Sequence, residues 1–91
     1  MEFEFDPVKE EANKFKHGLS LWFGARIFDD PDHIISSSFR EMDGEDRNKA
    51  VGMIDGKLYT AIHVWRGDKV RLISVRRSNA GEQRDYHSDP G

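Results

Sequence analysis

Two short stretches of this 91-residue chain hold residues whose types and spacing could do chemistry: Lys16-His17-Gly18 and Ser74-Val75-Arg76-Arg77. An imidazole beside an ammonium can move a proton next to a charge that its neighbour steadies. Ser74 and Arg76 fall on one side of an extended strand. There a hydroxyl and a guanidinium can grip a phosphodiester while a base stacks on Tyr59 or Trp65. Each stretch also has a purely structural explanation. A histidine in a last helical turn is favoured by the helix dipole, which tends to raise its pKa. A surface arginine commonly pairs with a carboxylate. Spacing alone leaves both pairs of readings open.

Other chemistries find less support. Asp29-Asp30-Pro31-Asp32-His33 contains ligand-type side chains, but no second ligand group stands at a recognised spacing, and helix-stopping acids account for the run. The acidic stretch Glu41–Asp46 lacks the alternation of a calcium loop. No P-loop, dinucleotide fingerprint or nucleophile elbow is present, so neither a metal nor a cofactor is expected. The absence of cysteine excludes disulfides and thiolate metal sites, and it fits a reducing compartment. The acidic N-terminus carries no signal-peptide pattern, and no apolar run approaches the roughly 20 residues that span a bilayer. The expected location is the cytoplasm, with no membrane partner. Net charge is −3, yet it is unevenly spread: residues 1–60 hold 8 Lys and Arg against 13 Asp and Glu, whereas residues 61–91 hold 6 against 4. A local basic surface can bind a polyanion on an acidic molecule.

The elements that must position these residues follow from pattern. The length implies one domain, 1–91. Phe3 and Phe5 alternate with acids as a short strand. Asp6-Pro7 reads as N-cap and first helical residue for a helix ending at His17, with Gly18 as its stop. Val8, Ala12 and Phe15 recur at i, i+4 and i+7 as the stripe that this helix should bury. Ser20 is the expected cap of a second helix with Leu21, Trp22, Ala25 and Phe28 on its apolar face. Strands are expected at Ile34–Arg40, Asn48–Ile54, Lys57–Arg66 and Lys69–Arg77. The last three are joined by two-residue turns at Asp55-Gly56 and Gly67-Asp68. A terminal helix follows from Asn79 to about His87, capped by Ser78.

Turn lengths set the register. They pair Val64 with Arg71, Ile62 with Ile73 and Thr60 with Val75. One face then gathers Val51, Met53, Leu58, Ile62, Val64, Ile73 and Val75, the expected core. The other gathers Tyr59, His63, Trp65, Val70, Leu72, Ser74 and Arg76, a mixed surface suited to binding. Arg77 points away from Arg76 in this register.

The motifs resemble the BrnT toxins, the DUF497 family. Phe5-Asp6-Pro7, Lys9, Asn13, Lys16-His17-Gly18 and Ser20 are similar to the family's opening. Phe28-Asp29-Asp30-Pro31, the Glu45-x-Arg47 pair, Arg66-Gly67, Ile73–Arg77, Glu82, Arg84 and Tyr86 are similar to its later elements. The resemblance implies an α+β fold of the RelE type: an antiparallel sheet with two N-terminal helices packed on one face and a short C-terminal helix. It also implies a ribonuclease that inhibits translation. Its partner would be a BrnA-like ribbon-helix-helix antitoxin, and operator DNA would be reached only through that antitoxin. By position it points to Lys16, His17, Ser74, Arg76 and Arg77 as site residues, with Glu45, Arg47 and Tyr86 beside them. The expected reaction is metal-independent attack of the 2′-hydroxyl on the adjacent phosphorus. Arg76 and Lys16 would steady the charge and His17 would act as acid or base. A non-catalytic module that binds a protein through its mixed face is the alternative.

Overall fold

The computed structural model describes residues 1–38 and 47–88. The acidic loop with Glu45, the end of the strand expected to reach Arg40, and the last three residues lie outside the described residues. The order of elements is β1 (Glu2–Glu4), α1 (Pro7–His17), a 3₁₀ segment (Leu21–Asp29), β2 (Ile34–Ser37), β3 (Asn48–Ile54), β4 (Lys57–Arg66), β5 (Lys69–Arg77) and α2 (Ala80–Ser88). The fold is α+β. Five strands form one sheet in the order β1-β5-β4-β3-β2.

The sheet is mixed rather than wholly antiparallel, because β1 lies parallel to β5. Arg71 reaches Glu4 at 2.8 Å and is tied to β1, while Lys69 stands 4.0 Å from Glu2 with both side chains exposed. Both hairpin turns form where expected. Asp55 and Gly56 both take positive φ, at 50° and 83°, as a type I′ turn requires.

The main departure is a β-bulge. β4 and β5 pair as expected from Arg66–Lys69 to His63–Leu72, then the register shifts, leaving Ile73 as an extra residue. Ile62 therefore faces Ser74 and Thr60 faces Arg76. The slip moves Ser74 and Arg76 off the Tyr59 face and onto the face of Thr60 and Ile62, and it puts Val75 on the other. Val51, Leu58 and Val64 of the expected core face are buried, but the main core lies on the other face. Ala61, Leu72, Val75, Val70 and Ala50 form the main core with Leu21 and Ile27 of the 3₁₀ segment. This is the face expected to be open for binding.

The second N-terminal helix is a 3₁₀ segment rather than an α-helix. Leu21, Gly24 and Ile27 are its buried residues, a spacing of three that a 3₁₀ turn places in one line. Trp22, expected inward, is exposed and meets Phe5 edge-on at 5.0 Å. The segment lies very close to the sheet. A Cβ on Gly52 would sit 2.8 Å from the Ile27 carbonyl oxygen, and one on Gly24 would sit 2.4 Å from Val75 Cγ2.

α1 also turns differently from expectation. Its capping is as the sequence implies: Asp6 accepts from Val8 N at 2.8 Å, and Gly18 closes the helix at φ 70°. Its buried residue, however, is Asn13, while Val8, Ala12 and Phe15 are exposed. The Asn13 amide serves the stretch of β5 that β1 is too short to cover. Asn13 Oδ1 accepts from Val75 N at 3.0 Å, and Nδ2 donates to Val75 O at 3.0 Å and to Leu19 O at 2.8 Å. One side chain thus supplies both hydrogen bonds that a neighbouring strand would make, immediately after the bulge.

Candidate anion-binding site

Behind the bulge, on the sheet face opposite the 3₁₀ segment, lies an open cavity of about 460 Å³. Lys16 and His17 enter it from the end of α1, Arg47 and Lys49 from the start of β3, Ser74 and Arg76 from β5, and Asn79 and Glu82 from α2. Ile62 and Ile73 supply its apolar lining. The bulge is what brings Ser74 and Arg76 to this side, and Ser74 Oγ donates to Asn13 Oδ1 at 3.3 Å.

Glu82 organises the cationic wall. It is 2% exposed and receives Arg76 through two bonds of 2.7 Å, Nη1 to Oε1 and Nη2 to Oε2. Thr60 Oγ1 and the Asn79 amide each donate to Oε1 at 2.9 Å, and Lys49 Nζ stands 3.4 Å from Oε2. Bidentate, charge-assisted pairing fixes the plane of a guanidinium as well as its place. These partners hold the Glu82 carboxyl down at about 2, against the burial that would raise it. The Glu82 hydrogen bond in turn raises the pKa of Arg76. Asn79 Oδ1 accepts from Glu82 N at 2.8 Å, so Asn79 and Glu82 form a reciprocal capping box. The cap of α2 is therefore Asn79, where Ser78 was expected. Ser78 instead hydrogen-bonds Thr60 Oγ1 at 2.7 Å.

His17 departs from its expected electrostatics. Its pKa is lowered from 6.5, first by burial, then by the positive charges of Lys16 and Arg76. These effects act against the helix-end dipole, which favours the charged form. At neutral pH the imidazole is therefore neutral and able to accept a proton.

The remaining sequence-derived candidates lie elsewhere. Tyr59 is on the opposite face, edge-on to Phe23 at 4.8 Å, with the Arg77 guanidinium 5.3 Å above its ring. Arg77 Nε donates to Leu58 O. Neither reaches the cavity, and Trp65 shares their face, so the expected stacking platform is not beside Arg76. Tyr86 donates to Asp30 Oδ2 at 2.7 Å and thereby ties α2 to the turn after the 3₁₀ segment. That bond pushes its phenol up to about 12. Among the described residues, no group of three or more His, Cys, Asp or Glu side chains could hold a metal.

Compared with protein-family models, residues 5–82 match the one described as "Ribonuclease toxin, BrnT, of type II toxin-antitoxin system". The chain belongs to the BrnT family. Compared with curated proteins, it finds no match. The matched span covers every cavity-lining residue, from Lys16 to Glu82. For this BrnT-family chain, the sequence assigned no role in the site to three positions that shape the cavity, although Asn13 and Glu82 stand in the family pattern. Glu82 was identifiable from the Asn79-x-x-Glu82 spacing of a capping box, which also places that carboxylate one strand-end away from Arg76. Asn13 was visible only as a residue of the family pattern, without a role, and Lys49 left no local signal, because their partners lie far along the chain. No helix among the described residues is long and apolar enough to cross a membrane.

Proposed function

We propose that this BrnT-family chain cuts RNA in the cavity behind the bulge, without a metal, by intramolecular transesterification. Neutral His17 takes the proton from the ribose 2′-hydroxyl. The freed oxygen bonds to the adjacent phosphorus, the P–O5′ bond breaks, and the departing oxygen takes a proton from solvent. The products are a 2′,3′-cyclic phosphate and a 5′-hydroxyl. Arg76 and Lys16 stabilise the negative charge that grows on the phosphoryl oxygens, with Arg47 and Lys49 close by. Ser74 adds a hydroxyl on the same wall. Glu82 is a positioning residue that acts through Arg76.

The observation that carries this reading is the convergence of Lys16 and His17, at the end of α1, with Arg76 of β5, some sixty residues further along the chain, on one cavity. The metal-free route is supported by the charge of the lining: among the described residues four cationic side chains and one carboxylate line the cavity, and that carboxylate is already committed to Arg76. Such a site repels a divalent cation and attracts a phosphodiester. In a cell the chain would act as a single cytoplasmic domain with a RelE-like arrangement of helices on a sheet. It would inhibit translation and be neutralised by a BrnA-like ribbon-helix-helix antitoxin, which alone would contact operator DNA.

The test is cleavage of RNA by the purified protein in EDTA, with Arg76→Ala alongside. Native protein should cut in EDTA, and the variant should be slower by about 100- to 1000-fold while remaining folded. A folded Arg76→Ala protein with unchanged cleavage would remove Arg76 from the chemistry. Loss of native cleavage on chelation would replace the metal-free route. A purified native protein that never cuts RNA would leave the non-catalytic binding module in its place.

A further inference from the structure

We propose that the outward stripe of α1, formed by Val8, Ala12 and Phe15, is the docking surface for the cognate antitoxin. The segment it takes would be amphipathic, with apolar side chains on one side and carboxylates beside them. The inference rests on membership of a toxin–antitoxin family and is independent of how, or whether, the cavity cuts RNA.

The stripe has the pattern of a helix face built to be covered, and nothing among the described residues covers Val8 or Phe15. Phe15 is 95% exposed and Val8 76% exposed. Successive helical residues turn by about 100°, so Asn13, which points into the body, and the stripe lie on opposite sides of α1. A lone exposed apolar side chain needs no explanation, but three aligned along one helix form the kind of surface that marks a partner site. An aromatic anchor near its centre of contact is the usual source of affinity in such surfaces.

Charge selects the occupant. Lys9 and Lys16 run along the flank of the stripe that leads to the cavity, Glu11 borders the other flank, and Lys16 also lines the cationic cavity with Arg47 and Lys49. A segment seated on Val8 and Phe15 therefore meets ammonium groups at its side and a basic opening beyond. Carboxylates fit that path, and a segment following it would cover the cavity mouth. A second copy of this chain fits less well. α1 has 11 residues and is only about 16 Å long. Pairing two such helices falls short of the roughly 1,200–2,000 Å² of a stable interface, and an antiparallel pair would set lysines against lysines.

The test uses the full chain and the antitoxin polypeptide produced from the adjoining reading frame. Binding is measured by titration calorimetry for native protein, Phe15→Glu, and the double variant Val8→Glu/Phe15→Glu. Ile35→Glu serves as a control at an exposed apolar position on β2. Phe15→Glu should weaken binding at least 100-fold, with an unchanged circular dichroism spectrum and melting temperature. Ile35→Glu should bind as the native chain does. If Phe15→Glu loses its fold, Phe15→Ala is read in its place, with a loss of at least tenfold expected. Binding of the folded variant within threefold of native overturns the proposal. So does a native chain that is dimeric alone and becomes monomeric with Phe15→Glu, because the stripe then belongs to a second copy.

Discussion

Replacing Glu82 by glutamine changes one oxygen to an amide nitrogen and leaves the shape nearly intact. The retained Oε1 can still accept from Thr60 and Asn79, but the new amide donor faces Arg76 Nη2 and Lys49 Nζ, both donors. Removing one partner of a buried ion pair costs about 3–5 kcal/mol. Arg76 keeps 30% of its side-chain exposure and the three bonds to Oε1, one of them from Arg76 Nη1, survive, so about 2–3 kcal/mol is the expected loss at pH 7. The pH dependence gives an independent check. The Glu82 carboxyl titrates near 2 in the folded chain against 4.5 for the free group, so its folded pKa is depressed. Its contribution is fully present above 4.5 and is lost as pH falls towards 2. At pH 3 about 2 kcal/mol of it is gone. Urea unfolding at pH 7 and pH 3 reads both quantities. Native protein should lose about 2 kcal/mol more than Glu82→Gln between the two pH values. Because the guanidinium loses its fixed plane, RNA cleavage by the folded variant should fall by about 100-fold. Equal stability at pH 7 together with the same acid dependence in both proteins would refute the role given to this carboxylate.

Three further outcomes are expected. The acid limb of kcat/KM should inflect below pH 6.5, because His17 must be neutral to accept a proton. Lys16→Met should move the imidazole titration seen by NMR upward, since it removes a charge that opposes protonation, and a downward or absent shift would contradict the electrostatics. Asn13→Leu should leave the Val75 amide and carbonyl without partners, at about 1–3 kcal/mol each, and should speed hydrogen exchange at Val75. Retained protection there would show that Asn13 does not hold the strand after the bulge. Tyr86→Phe should cost about 1.5–3 kcal/mol by freeing α2 from Asp30, with cleavage by the folded protein nearly unchanged. A 100-fold loss of activity at unchanged stability would return Tyr86 to the site.

Strands β3, β4 and β5 were readable to the residue. Their alternation has a period of two, and Asp55-Gly56 and Gly67-Asp68 set the turns between them. The two faces were not readable, because the register depends on a single extra residue, Ile73. The bulge lies beside an amide sixty-two positions away, that of Asn13, bonded to Val75. A local pattern carries no trace of such a contact. The same cause hid the orientation of α1. Val8, Ala12 and Phe15 are spaced like a core stripe, yet the polar Asn13 turns inward because an uncovered strand needs a donor and an acceptor together. For the 3₁₀ segment, the i, i+3 spacing of Leu21, Gly24 and Ile27 was visible but competed with an equally good α-helical stripe. Lys16, His17 and Arg76 were found by residue type, and the fold brings all three to one cavity. Tyr59 was named on the same grounds and Arg77 and Tyr86 by the family resemblance, and the fold brings them into packing, strand-edge contacts and the anchoring of α2.

The chemistry is tested most directly by the ends left on RNA after cleavage by the purified native protein. A 2′,3′-cyclic phosphate on one fragment and a free 5′-hydroxyl on the other, formed in EDTA and lost with His17→Ala, are the expected products. A 3′-hydroxyl with a 5′-phosphate would mean that water, not the neighbouring ribose oxygen, attacks the phosphorus, and it would contradict the mechanism placed at this cavity.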